Sequence, residues 1–150
     1  MDYNHAGMVC CFHANTRAGS WILDSGASNH MTGDLRKIIH PCELSASPAI
    51  TLPNRDSAVV TYKGKVLLKN DMELKDVLYV PSFNHNLLSI QKLLKENDWK
   101  VEFRKRSCII SDLKTNEVKG IGRQEGGLYF LMEEPIRDLV DLGRKMIGKN

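Results

Sequence analysis

The sequence predicts an all-β domain of short strands with one short α-helix, spanning about Trp21 to Met132. Three observations carry this. Short runs rich in Val, Ile, Leu, Tyr and Phe alternate with clusters of Pro, Gly, Asn and Asp at close spacing, as strands alternate with turns. Leu87 to Lys95 shows the best apolar repeat of helical period in the chain. The composition over 150 residues, 42% hydrophobic and 26% charged, is that of one folded domain rather than of a disordered or low-complexity chain.

Residues 1–20 read as a flexible tail or linker, because they carry no sustained period and end in the small, polar run Asn15 to Ser20. At Trp21 the character changes. Trp21-Ile22-Leu23 is a buried strand that stops abruptly at the turn signature Asp24-Ser25-Gly26. Ala49 to Leu52 and Ala58 to Tyr62 are strands around the turn cluster Pro53-Asn54-Arg55-Asp56, which makes a hairpin. Lys63-Gly64-Lys65 breaks or bulges the run, Val66 to Leu68 continues it, and Asn70-Asp71 turns the chain. Leu74 to Val80 is a further strand, stopped by Pro81. Leu87, Ile90, Leu93 and Leu94 give the predicted helix its apolar face, and Glu96-Asn97-Asp98 ends it. Val101 to Phe103, Cys108 to Ser111, Glu117 to Ile121 and Leu128 to Met132 complete the strands. Residues 133–150 read as a linker or surface helix, with Ile136 to Ile147 as the helical stretch.

The charge excludes little by itself. Twenty-one Lys and Arg against 18 Asp and Glu give a net charge of +3, too weak a bias to imply nucleic-acid binding. The strip Lys100, Arg104, Lys105 and Arg106 reads first as a solvated hairpin edge and only second as a phosphate contact. No apolar run approaches a membrane span, and no signal-peptide core lies near Met1. Cys10, Cys11, Cys42 and Cys108 read as reduced thiols. With His13, His30, His40 and His85 they show no zinc spacing, so no metal is expected. His30 reads as a polar residue near the Asp24 loop rather than as a catalytic base.

Asp24-Ser25-Gly26 is the candidate for chemistry. A carboxylate at a strand end, in a tight loop where Gly permits close backbone approach, suits hydrolysis when a second carboxylate lies beside it. Two such groups share one proton, so one activates a water while the other protonates the substrate carbonyl. Alone the tripeptide is weak, arising by chance in roughly one chain of this length in fifteen.

Its context is stronger. Trp21 to Thr32, with Asp24-Ser25-Gly26-Ala27-Ser28 at its centre, closely resembles the protease opening of copia-type (Pseudoviridae) retrotransposon polyproteins. Leu78-Tyr79-Val80-Pro81-Ser82-Phe83-Asn84-His85-Asn86-Leu87-Leu88-Ser89-Ile90 resembles the family's downstream signature, and Gly127 to Leu131 its closing strand. The resemblance implies a retropepsin-like aspartic protease, a closed β-barrel with one short helix, active as a homodimer on its own Gag–Pol polyprotein. It implies no cofactor and a location in cytoplasmic virus-like particles; no membrane partner is expected, and a nucleic-acid partner, through the Lys100 to Arg106 strip, is the weakest of the readings. The single Asp-Ser-Gly requires the second carboxylate to be Asp24 of another copy.

By the same resemblance Asp24 is the catalytic carboxylate. Ser25 and Gly26 form the active-site loop and dimer grip, and Gly26, Ala27 and Ser28 line the cleft floor. The hairpin bearing Leu52, Pro53, Asn54 and Val59 is a lid over the substrate. Leu87, Leu88 and Ser89 support the loop. The competing reading is a non-catalytic dimer or binding module of the same fold, degenerate or host-adopted. A Ser nucleophile at Ser25 or Ser28 has no triad signature around it.

Overall fold

The computed structural model describes residues 19–46, 49–52 and 57–140. Residues 1–18, 47–48, 53–56 and 141–150 lie outside the described residues, and with them Cys10, Cys11, the hairpin tip and most of both expected terminal segments.

Twelve strands, one complete α-helix and a helical stretch at residues 136–140 are described. In chain order they are β1 (Trp21–Asp24), β2 (Met31–Thr32), β3 (Ile39–Glu43), β4 (Ala49–Thr51), β5 (Ser57–Val59) and β6 (Tyr62–Leu67). There follow β7 (Glu73–Tyr79), β8 (Asn86–Ser89), the helix α1 (Ile90–Glu96), β9 (Trp99–Phe103), β10 (Ser107–Asp112), β11 (Val118–Glu125) and β12 (Leu128–Leu131). Ten strands form one sheet in the order β3-β6-β7-β2-β8-β1-β12-β11-β10-β9. The hairpin β4–β5 stands apart as a two-stranded sheet, in the register Ala49↔Val59, Ile50↔Ala58, Thr51↔Ser57.

The centre of the sheet explains the continuous apolar runs of the sequence. β1 lies parallel to β8 and antiparallel to β12. Trp21, Leu23, Leu88 and Leu131 enter one core cluster, whereas Ile22, Leu87, Leu128 and Phe130 enter a second. Strands buried on both faces cannot alternate apolar with polar residues. The sheet is strongly curled: Met72, just before β7, lies against Gly120 of β11, although four strands separate β7 from β11 in the order. β3 and β9 are its two ends, so the hydrogen-bonded order itself is mostly β but not a closed ring among the described residues.

The predicted helix begins later than its periodicity suggested. Leu87, Leu88 and Ser89 are strand, because they pair in parallel register with Ile22, Leu23 and Asp24. Ser89 then caps the helix, its Oγ accepting the Lys92 N–H at 3.0 Å. The predicted strand Ala58 to Tyr62 is also divided. Val60 turns into the second cluster, fully buried, and β6 starts two residues on. β2 and β3 were not foreseen; β2 has two residues, and β3 carries a left-handed His40 at φ 52° with a register shift. Residues 136–140 are helical, and Asn70 ties this segment down. Its Oδ1 accepts the Ile136 N–H and its Nδ2 donates to the Glu134 carbonyl, both at 3.1 Å. Cys42 is exposed and Cys108 buried, and both are free thiols.

Candidate functional site: the Asp24 loop

The loop begins where β1 ends. Asp24 occupies the last ladder position, opposite Ser89. Its Oδ1 accepts the Gly26 N–H at 2.8 Å, a short turn that fixes the carboxylate against its own backbone. Its Oδ2 is shielded from solvent and has no hydrogen-bond partner among the described residues. Ser25 is exposed, and Gly26 and Ser28 are half-buried. Ala27 is fully buried in the second cluster, so it anchors the loop instead of lining an open floor.

Beneath the loop lies a buried polar layer. Ser89 is 0% exposed and makes three hydrogen bonds. Its Oγ donates to the Ala27 carbonyl at 2.5 Å and accepts from Lys92, and its N–H donates to His30 Nδ1 at 2.9 Å. His30 is also 0% exposed, and its carbonyl accepts the Leu78 N–H at 2.9 Å. Next to it, the Thr32 hydroxyl donates to Asn86 Oδ1 at 2.6 Å and accepts the Asp34 N–H at 3.1 Å. Burial, with the nearby Lys92 cation, pushes the His30 imidazole down to about 3, against a smaller opposite pull from Asp76. The ring is therefore neutral, and because Nδ1 accepts, its proton sits on Nε2. Nε2 is buried without a hydrogen-bond partner among the described residues.

The structure thus brings Asp24, Ser25, Gly26, Ala27 and Ser28 together with Leu87, Leu88 and Ser89 through the β1–β8 pair. Leu52 joins them through the second cluster, 6% exposed, beside Ala27 and Val60. Val59, on the same hairpin, is 55% exposed and stands away from that core. Pro53 and Asn54 lie outside the described residues. His30, Thr32 and Asn86 are the members that sequence reasoning missed as parts of the site. His30 does lie by the loop, as expected, but as a fully buried acceptor whose partner, Ser89, the sequence did not indicate. The available signal was a lone His six residues past Asp24 and directly before an apolar residue.

Comparison with known proteins agrees with the placement of this loop in a β domain. The family described as Pol polyprotein, beta-barrel domain, matches residues 21–99, from the start of β1 to the start of β9. The chain is 30% identical over 115 residues to the retrovirus-related Pol polyprotein from transposon RE2 of Arabidopsis thaliana. It is 27% identical over the same length to that from transposon RE1. Each alignment covers 75% of this chain and 8% of the relative, so the chain spans a small part of those polyproteins. No solved structure matches it. The chain belongs to the Pol polyprotein β-barrel domain family, a region of retrotransposon Pol polyproteins.

Proposed function

We propose that this domain is one half of an aspartic endopeptidase. It forms a homodimer about a two-fold axis between the Asp24 loops and cleaves its own Gag–Pol-type polyprotein, within cytoplasmic particles. The observation that carries this reading is the Asp24 carboxylate. One oxygen is fixed by the Gly26 N–H, and the other is shielded and unpaired. An unpaired buried carboxylate oxygen is costly and calls for a further group. A second Asp24, a shared proton and a water supply that group.

In the pair, the ionised carboxylate takes a proton from the water as its oxygen attacks the scissile carbonyl carbon. The protonated carboxyl gives its proton to the carbonyl oxygen, which forms a tetrahedral diol. Transfer of a proton to the amide nitrogen and collapse of the diol break the C–N bond, releasing acid and amine. Exposed Ser25 is available for an inter-subunit hydrogen bond. The β4–β5 hairpin, a separate small sheet resting on Leu52 and Val60, fits a lid that opens to admit peptide. The peptide then adds as an extended strand.

The test is cleavage of a longer precursor with its native junctions by the wild type and by Asp24→Asn, across protein concentration. Loss of cleavage in a folded Asp24→Asn, with a wild-type rate that rises faster than linearly with concentration, supports the reading. Cleavage retained in Asp24→Asn overturns the mechanism. A folded, dimeric wild type without cleavage moves the assignment to a non-catalytic module.

A further inference from the structure

We propose that His30 is a positioning residue for the Asp24 loop: its neutral imidazole clamps the returning end of the loop to Ser89 and thereby fixes where Asp24 stands. The proposal rests on the protease reading. It is carried by a geometry in which Ser89 meets the loop at three points. Asp24 is its partner in the β1–β8 register, the Ala27 carbonyl takes its hydroxyl, and His30 Nδ1 takes its N–H.

Those three contacts span the loop from first residue to last. The main chain of His30 is held independently, through its carbonyl, by the Leu78 N–H of β7. Residue 30 therefore links two strands across the end of the loop, β7 through its main-chain carbonyl and β8 through its side chain. With Ser89 0% exposed, removing the acceptor leaves a buried N–H unpaired, and the cheapest relief is for the loop to shift. Shifts of about 1 Å at reacting groups cost up to about a hundredfold in rate.

The clamp works only with a neutral ring, because a protonated Nδ1 would point a second N–H at the Ser89 donor. The charged groups that act on the ring are Lys92 of α1 and Asp76 of β7. Lys92 opposes protonation, and its Nζ is held by the Asp76 carbonyl at 2.9 Å. The retained cost is the unpartnered Nε2–H, a buried donor that an apolar residue would not carry.

The experiment compares wild type, His30→Leu and His30→Asn in the full chain. Leu fills the space without an acceptor, whereas Asn can offer Oδ1 near the place of Nδ1. Expected for folded His30→Leu is a kcat about tenfold or more below wild type with KM within about twofold, partly restored in His30→Asn. A wild-type kcat in His30→Leu, with Asp24→Asn inactive, overturns the clamp and leaves the protease reading intact.

Two further readouts do not depend on cleavage. Nitrogen NMR of the wild type should show His30 as the Nε2–H tautomer from pH 7 down to about pH 4. A His30 that titrates between pH 5 and 7 overturns the proposal even if His30→Leu does not fold. In folded His30→Leu, the Gly26 and Ser89 amides should exchange at least about tenfold faster, with β10–β11 amides unchanged. Unchanged exchange at both sites overturns it even in an inactive protein.

Discussion

His30 gives the stability of the domain a definite pH dependence. Its folded value is pushed down to about 3 from an ordinary 6.5. Between those values the unfolded chain takes up a proton that the folded one refuses, so stability rises with pH across the window. The contribution is fully present above about pH 6.5 and is lost as pH falls towards 3. Each unit of separation is worth about 1.4 kcal/mol, which makes this a contribution of several kcal/mol. Burial lowers half-buried His85 as well, with the same sign, so the wild-type slope alone does not isolate His30. Urea midpoints from pH 7 to 3.5 should fall less steeply in His30→Asn than in wild type, and parallel slopes would contradict the burial argument. Ser89 sets a second expectation at this scale. Its hydroxyl serves the Ala27 carbonyl and the Lys92 N–H together, so Ser89→Ala removes a helix cap and leaves a buried acceptor unpaired. The expected loss is about 1–3 kcal/mol by urea unfolding.

At the scale of elements, close approach decides which glycines tolerate change. A Cβ at Gly33 would overlap the main-chain carbonyl of Phe83, which cannot move without breaking the turn after Val80. A Cβ at Gly122 would crowd only side-chain ends, Cys108 Sγ at 2.5 Å and Leu23 Cδ1 at 2.6 Å, and would meet the Phe130 carbonyl oxygen at an ordinary 3.5 Å. Gly33→Ala should therefore cost about 3 kcal/mol or more, and Gly122→Ala about 1–2 kcal/mol, in the same urea assay. The reverse ranking would show that the backbone gives more easily than the core. This dependence on neighbours far along the chain also separates what could be read in advance from what could not. Trp21 to Leu23 and the abrupt stop at Asp24 were legible, because an apolar triplet before a turn signature needs no partner to be recognised. Leu87 and Leu88 were misread as helix because short apolar runs fit either period, and the β1 partner lies about 65 residues upstream. The loop residues of the site were legible from one contiguous motif. His30 was not, since its role is a single hydrogen bond to a residue 59 positions away.

The whole molecule has one Asp-Ser-Gly and, among the described residues, one buried carboxylate oxygen without a hydrogen-bond partner. If two copies complete the site, each active unit needs an intact Asp24 from both, which a mixing experiment can count. Asp24→Asn keeps the shape of the side chain, and its fold and association should be those of the wild type. Equal amounts of the two, mixed well above the dissociation constant, then pair at random, and one dimer in about four carries two carboxylates. Cleavage should fall to about half of what the same amount of wild type gives alone, and further as the variant is added in excess. A site built within one subunit would be indifferent to the added variant, and its rate would track wild-type concentration linearly. Dilution supplies the complementary measure: the wild-type rate per subunit should drop as dimers dissociate, and inactive Asp24→Asn should partly restore it by recruiting free subunits only if one carboxylate suffices. Under the two-carboxylate mechanism it restores nothing, because every recruited subunit enters a unit lacking its second carboxylate.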